Sequence, residues 1–119
     1  MATAVLRGNQ SFEHIRQGML DGVLRSGVSV NLVDEAFYDF EQMKFSVLVF
    51  EKYFMRVGNR LSVTISIVEP PQGDLEVIVI GAAGGTGAFL RFSWGSEDSF
   101  VGSVIDVATS LGLTLVSST

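Results

Sequence analysis

The chain has no cysteine. That excludes a disulfide scaffold, a thiolate zinc site, an iron–sulfur cluster and a cysteine nucleophile, and it fits a reducing compartment. It has one histidine, so any histidine-based triad or metal site would have to be built around His14. Positive charge is sparse: eight Lys and Arg stand against 13 Asp and Glu, for a net charge of −5. An acidic chain repels the phosphate backbone, and the bases are scattered, with only Lys52, Arg56 and Arg60 near one another, so no nucleic-acid partner is expected. No apolar run approaches the roughly 18 residues of a membrane span, and the first ten residues lack a basic start followed by an apolar stretch. Neither a membrane partner nor a signal peptide is expected, and a cytoplasmic location follows.

What is present is apolar. Hydrophobic residues make up 47% of the 119 residues, and the mean hydropathy is +0.39. A chain of this length suits one domain over 1–119, with no metal or disulfide needed for folding. With so few charges, the excess hydrophobicity belongs in a core or at a partner interface, and the expected partner is a second copy of the chain.

Ser11 can cap a helix whose apolar positions, Phe12, Ile15, Met19, Leu20, Val23 and Leu24, share one face. Glu13, His14, Gln17, Asp21 and Arg25 share the other, so His14 is expected to be solvated. Gly18 and Gly22 weaken this helix by about 1 kcal/mol each relative to alanine, and Gly27 reads as its stop. Val28, Val30 and Leu32 alternate with polar residues as in a strand, whereas 34–43 fits neither period. Residues 44–57 and 60–69 read as a hairpin around Gly58-Asn59, and Pro70-Pro71-Gln72-Gly73-Asp74 reads as a turn into a strand over 75–80. Gly81–Gly87 reads as a glycine-rich connection, and 88–94 as extended. Ser96 caps a second helix with Phe100, Val101, Val104, Ile105, Val107, Ala108 and Leu111 on its apolar face and Gly112 at its end. Residues 113–116 suit a short edge strand or a loose tail. The expected fold is α+β, a two-layer sandwich: an antiparallel meander of four or five strands with an N-terminal and a C-terminal helix on one face.

The string Val77-Ile78-Val79-Ile80-Gly81-Ala82-Ala83-Gly84-Gly85-Thr86-Gly87 looks like the strand-and-glycine fingerprint of nicotinamide-dependent reductases. Its surroundings do not. The fingerprint opens a helix and leads to a second parallel strand, whereas here Ala88–Trp94 is aromatic and strand-like, and only 32 residues follow Gly87. A glycine-rich turn or bulge is the plainer reading, and no cofactor is expected.

If a ligand binds, Gly84, Gly85, Arg91, Trp94 and Ser96 offer what a small carboxylate or phosphate prefers: loop amides, an arginine, an aromatic face and a helix start. Tyr53 and Arg56 lie on a candidate neighbouring strand. Against this, Trp94 reads equally as core, Arg91 as the partner of an acid such as Glu51, and Ser96 as a cap alone. No catalytic set emerges, and the carboxylates match no calcium loop. Glu51 lies in a strand apolar on both faces and is expected to pair with Arg56, Arg60 or Arg91, or to sit near an edge.

Val49–Arg56 and Phe92–Phe100 resemble segments of a small uncharacterised bacterial family, a domain of unknown function found mainly among Firmicutes. With the glycine loop between them they span about half the chain. The resemblance implies a bacterial cytoplasmic protein and transfers no activity, cofactor or site residue. Three functions stay open: a non-enzymatic interaction or ligand-binding protein acting as a homodimer, an enzyme or sensor holding a small anion at loop 81–87, and a small acidic chaperone-like protein.

Overall fold

A computed structural model describes residues 2–54, 59–83 and 100–119. The elements run β1 (Ala2–Gly8), α1 (Phe12–Leu24), β2 (Val30–Phe40), β3 (Met43–Phe54), β4 (Asn59–Glu69), β5 (Leu75–Ala83), α2 (helical over 100–110) and β6 (Thr114–Ser118). The strands form one antiparallel sheet in the order β2-β3-β4-β5-β1-β6.

The meander expected over 44–80 is β3-β4-β5, with Leu48 opposite Ile65 and Ile65 opposite Val79. Two edges extend it, so the sheet has six strands where four or five were expected. On one side β2 runs through the ambiguous stretch 34–40 and turns into β3 at Glu41, a non-glycine residue with φ 49°. On the other, β1 lies between β5 and β6, so residues 2–8, which carried no expected element, hold the centre of a three-stranded ladder. Residues 114–118 are the edge strand rather than a tail.

Each half-buried strand places alternate residues on the helix side. Leu48 and Phe50 of β3, Leu61, Val63, Ile65 and Ile67 of β4, Val77 and Val79 of β5, and Ala4 and Leu6 of β1 are buried there. They join Phe12, Ile15, Met19 and Val23 of α1 and Phe100, Val101, Val104 and Ala108 of α2 in a single core. Both helices therefore cover one face, as the single apolar stripe on each demands.

The helix ends follow local chemistry. Ser11 Oγ accepts the His14 amide at 3.2 Å, which is the expected N-cap. The stop is not Gly27: α1 ends at Leu24 with Arg25 as C-cap, and the Ser26 hydroxyl donates to the Val23 carbonyl at 2.7 Å. Gly112 does end α2. At φ +94° its amide reaches Thr109 O and the Leu113 amide reaches Ala108 O, while the Leu113 side chain is buried.

Gly18 and Gly22, a cost to α1 in isolation, form its contact with α2. A Cβ on Gly18 would meet the Leu111 side chain at 2.7 Å, and one on Gly22 would collide with Val107. At both positions an added Cβ would force the facing side chain of Leu111 or Val107 to shift.

Ser46 interrupts the apolar alternation of β3. It faces the helix side fully buried, and among the described residues its hydroxyl has no hydrogen-bond partner. Such a group keeps its desolvation cost with nothing to offset it, so Ser46→Ala is expected to raise the unfolding free energy by about 1 kcal/mol. Urea unfolding checks this, and a destabilised Ser46→Ala would show that the hydroxyl is satisfied.

Candidate functional site

Gly84, Gly85, Arg91, Trp94 and Ser96 lie outside the described residues, as does Arg56. The string that precedes them is placed. Gly81 is not a turn residue: it sits inside β5, opposite Val63 on one side and Ala2 on the other, and Ala82 and Ala83 continue the pairing with β4. Because β5 is antiparallel to both neighbours, it is not the parallel strand that a dinucleotide crossover starts from.

The sheet face opposite the helices carries the second set of alternate side chains. One row runs Ala36, Val47, Ser66, Ile78, Val5 and another Asp34, Val49, Thr64, Ile80, Thr3. Among the described residues no helix covers this face, and Ile80 is 41% exposed. Val47 and Val49 of β3 and Ile78 and Ile80 of β5 carry apolar side chains on it, and a hydroxyl stripe, Ser62, Thr64 and Ser66, runs along β4 between them.

The two ends of the face differ. At one end Asn31, Glu51, Lys52, Tyr53 and Arg60 line a hollow of about 340 Å³. Tyr53 stands opposite Arg60, and its carbonyl accepts the Ser29 hydroxyl at 2.8 Å. Lys52 Nζ lies 5.8 Å from the centre of the Phe100 ring. Glu51 sits between Asn31 and Ser62 in register, and the described residues form no ion pair with it. Arg60 is its diagonal neighbour, and the other expected partners, Arg56 and Arg91, lie outside the described residues.

At the other end Tyr38, Phe40, Met43 and Phe45 line an apolar hollow of about 390 Å³. Tyr38 and Phe40 stack with centroids 6.2 Å apart and an interplanar angle of 19°. Tyr38 is 57% and Phe40 65% exposed. This is the tip of the β2–β3 hairpin, and the sequence stretch that builds it, 34–43, reads as neither helix nor strand.

On the helix side, Arg16 ties α1 to β2. Its guanidinium reaches Glu13 at 2.7 Å and Glu35 at 3.0 Å, and Phe12 meets Phe37 nearby with centroids 5.7 Å apart. The hydrogen bond from Arg16 holds the Glu13 carboxyl below its usual range, and that bond to Glu13 raises Arg16 in turn. These displacements arise mainly from the ion pair within α1, and the Arg16–Glu35 contact links that helix to β2. His14 is exposed on α1, as expected. Among the described residues no three metal-binding side chains cluster, and no helix is long and apolar enough to cross a membrane.

Comparison with known proteins gives a family and a fold. The model of a family of unknown function, DUF6054, matches residues 1–112. Among solved structures, the chain is similar to PA94 of Pseudomonas aeruginosa, a protein of unknown function described as a candidate regulator. The TM-score is 0.52 at 13% identity, over 82% of this chain and 67% of that one. At that identity the likeness concerns the fold alone. No curated protein matches the chain.

Proposed function

The chain belongs to DUF6054, a family of unknown function, and from that premise we propose that it is a non-enzymatic interaction protein that works as a homodimer through its open sheet face. The observation that carries the reading is a face bearing Val5, Val47, Val49, Ile78 and Ile80 with no described element packed on it. Six strands at about 4.8 Å spacing, each with about nine residues at 3.3 Å rise, present roughly 850 Å². A standard interface takes about 800 Å² from each partner. Packing against a second copy would bury these aliphatic side chains, while the hydroxyls of β4 can be met by water or by one another. A chain with no cysteine is at home in the reducing cytoplasm, which belongs to the same reading, as does a bacterial source.

Light scattering at micromolar concentration tests it. The native chain is expected at the mass of a dimer, and the Val49→Lys, Ile80→Lys variant at that of a monomer with an unchanged far-ultraviolet dichroism spectrum. A monomeric native chain ends the proposal.

A further inference from the structure

The face proposed for the dimer does not include the outer edge of β2, which no described residue pairs. In the described sheet β2 has a neighbour on one side only, and residues 33–40 are all exposed. An edge strand of 11 residues presents backbone amides and carbonyls to any chain that can lie beside it. Proteins commonly blunt such edges with charge, and β2 carries charge, all of one sign. Residues 26–43 hold Asp34, Glu35, Asp39 and Glu41 and no Lys, Arg or His. Arg16 engages Glu35, and Lys44 stands opposite Asp39 on β3, so Asp34 and Glu41 are the less compensated acids.

A blunted edge has no use for exposed aromatics, yet this one has three. Phe37 is 51% exposed and faces the helix side opposite Ser46, while the more exposed Tyr38 and Phe40 face the open side opposite Phe45 and Met43. Aromatic side chains flanking an unpaired strand are the usual anchors of an interface. The acids decide what the interface accepts. Two-fold pairing of β2 with its own copy would bring the carboxylates of both chains to one seam, where like charges oppose pairing. A basic strand meets the opposite situation, since its lysine or arginine stems can lie along the aromatic rings while their charges reach the acids.

We propose that β2 docks an extended, basic segment of another protein as an added antiparallel or parallel strand, held by main-chain hydrogen bonds, the acids of 34–41 and the exposed aromatics. The main-chain edge of β2 points away from the open face, while Tyr38 and Phe40 stand at the rim of that face.

The test uses the whole chain and a peptide of about ten residues alternating lysine and valine, a length that matches a full edge. A lysine–proline peptide of equal charge serves as the control, since it has no amide to donate at every second position. The lysine–valine peptide is expected to bind at least about tenfold more tightly than the control, with shifted amide resonances at 33–40. The Asp39→Asn, Glu41→Gln variant should weaken that binding by about tenfold or more while leaving the dimer mass unchanged. Equal affinity for both peptides would reduce the effect to bulk charge attraction and overturn the proposal. So would resonance shifts confined to the open face. Because the resonance map uses the unaltered chain, it decides the matter even if the variant folds poorly.

Discussion

Replacing Phe50 with alanine is expected to lower the unfolding free energy by about 3–5 kcal/mol, the range for deleting a large buried aromatic. Phe50 is fully buried on the helix side of β3, opposite Leu32 on one neighbour and Val63 on the other. It heads the largest fully buried side chains of the core. Its neighbours across the sheet are strand residues fixed in register, which limits how far they can move into the hole. The measurement is the urea midpoint at constant slope. With total stability of small domains at about 5–15 kcal/mol, the variant should sit near the limit of folding. A loss under about 1 kcal/mol would mean that the core collapses around the site.

The second large effect is expected where the two helices meet. Gly22→Val places two methyl groups where a single Cβ already collides with Val107. Overpacking of this kind costs about 1–3 kcal/mol. The better helix propensity of valine over glycine returns only a few tenths of that. The discriminating experiment is a double-mutant cycle with Val107→Ala. If the glycine serves close approach, the pair should recover most of the loss, giving a coupling of about 1 kcal/mol or more. Additive losses would place the strain elsewhere.

These two sites also show what the sequence conveys. Phe50 lies in the strongest strand signal of the chain, and β3, β4 and β5 were legible because their β-rich runs are long, β4 alternates cleanly and the links are short. The glycines of α1 read as a weakness, because their benefit arises only against a helix some 80 residues away in the chain. The stretch 34–43 was illegible for a specific reason. A bulge between Leu32 and Asp34 shifts the phase of β2, so Val30 and Leu32 face the core but Glu35 and Phe37 continue that side. An edge that buries little on either face leaves no alternation to find. β1 was missed because its inward residues are only Ala4 and Leu6, and because its neighbours come from the other end of the chain. The hairpin tip, the acidic edge and the hollow beside Tyr53 depend on that pairing, so their residues were readable singly and not as surfaces. The residues chosen for a small anion, from Gly84 to Ser96, lie outside the described residues.

The place of β1 has a consequence for how the chain is made. β1 pairs with β5 across spans from Gly8–Leu75 to Ala2–Gly81, and with β6 across more than a hundred residues. During synthesis at about 5–20 residues per second, β1 therefore waits several seconds for its first neighbour and longer for its second. The β2–β5 meander can zip in order as it emerges, but α1 has only part of its floor until β1 docks, and α2 and then β6 arrive last. The sheet is thus completed from the β2 edge toward β6, late, through contacts of high sequence separation, which is the slow end of the range for small domains. In that interval the flank of β5 that β1 will occupy is an open strand edge, and the nascent chain is most prone there to pairing with the wrong strand.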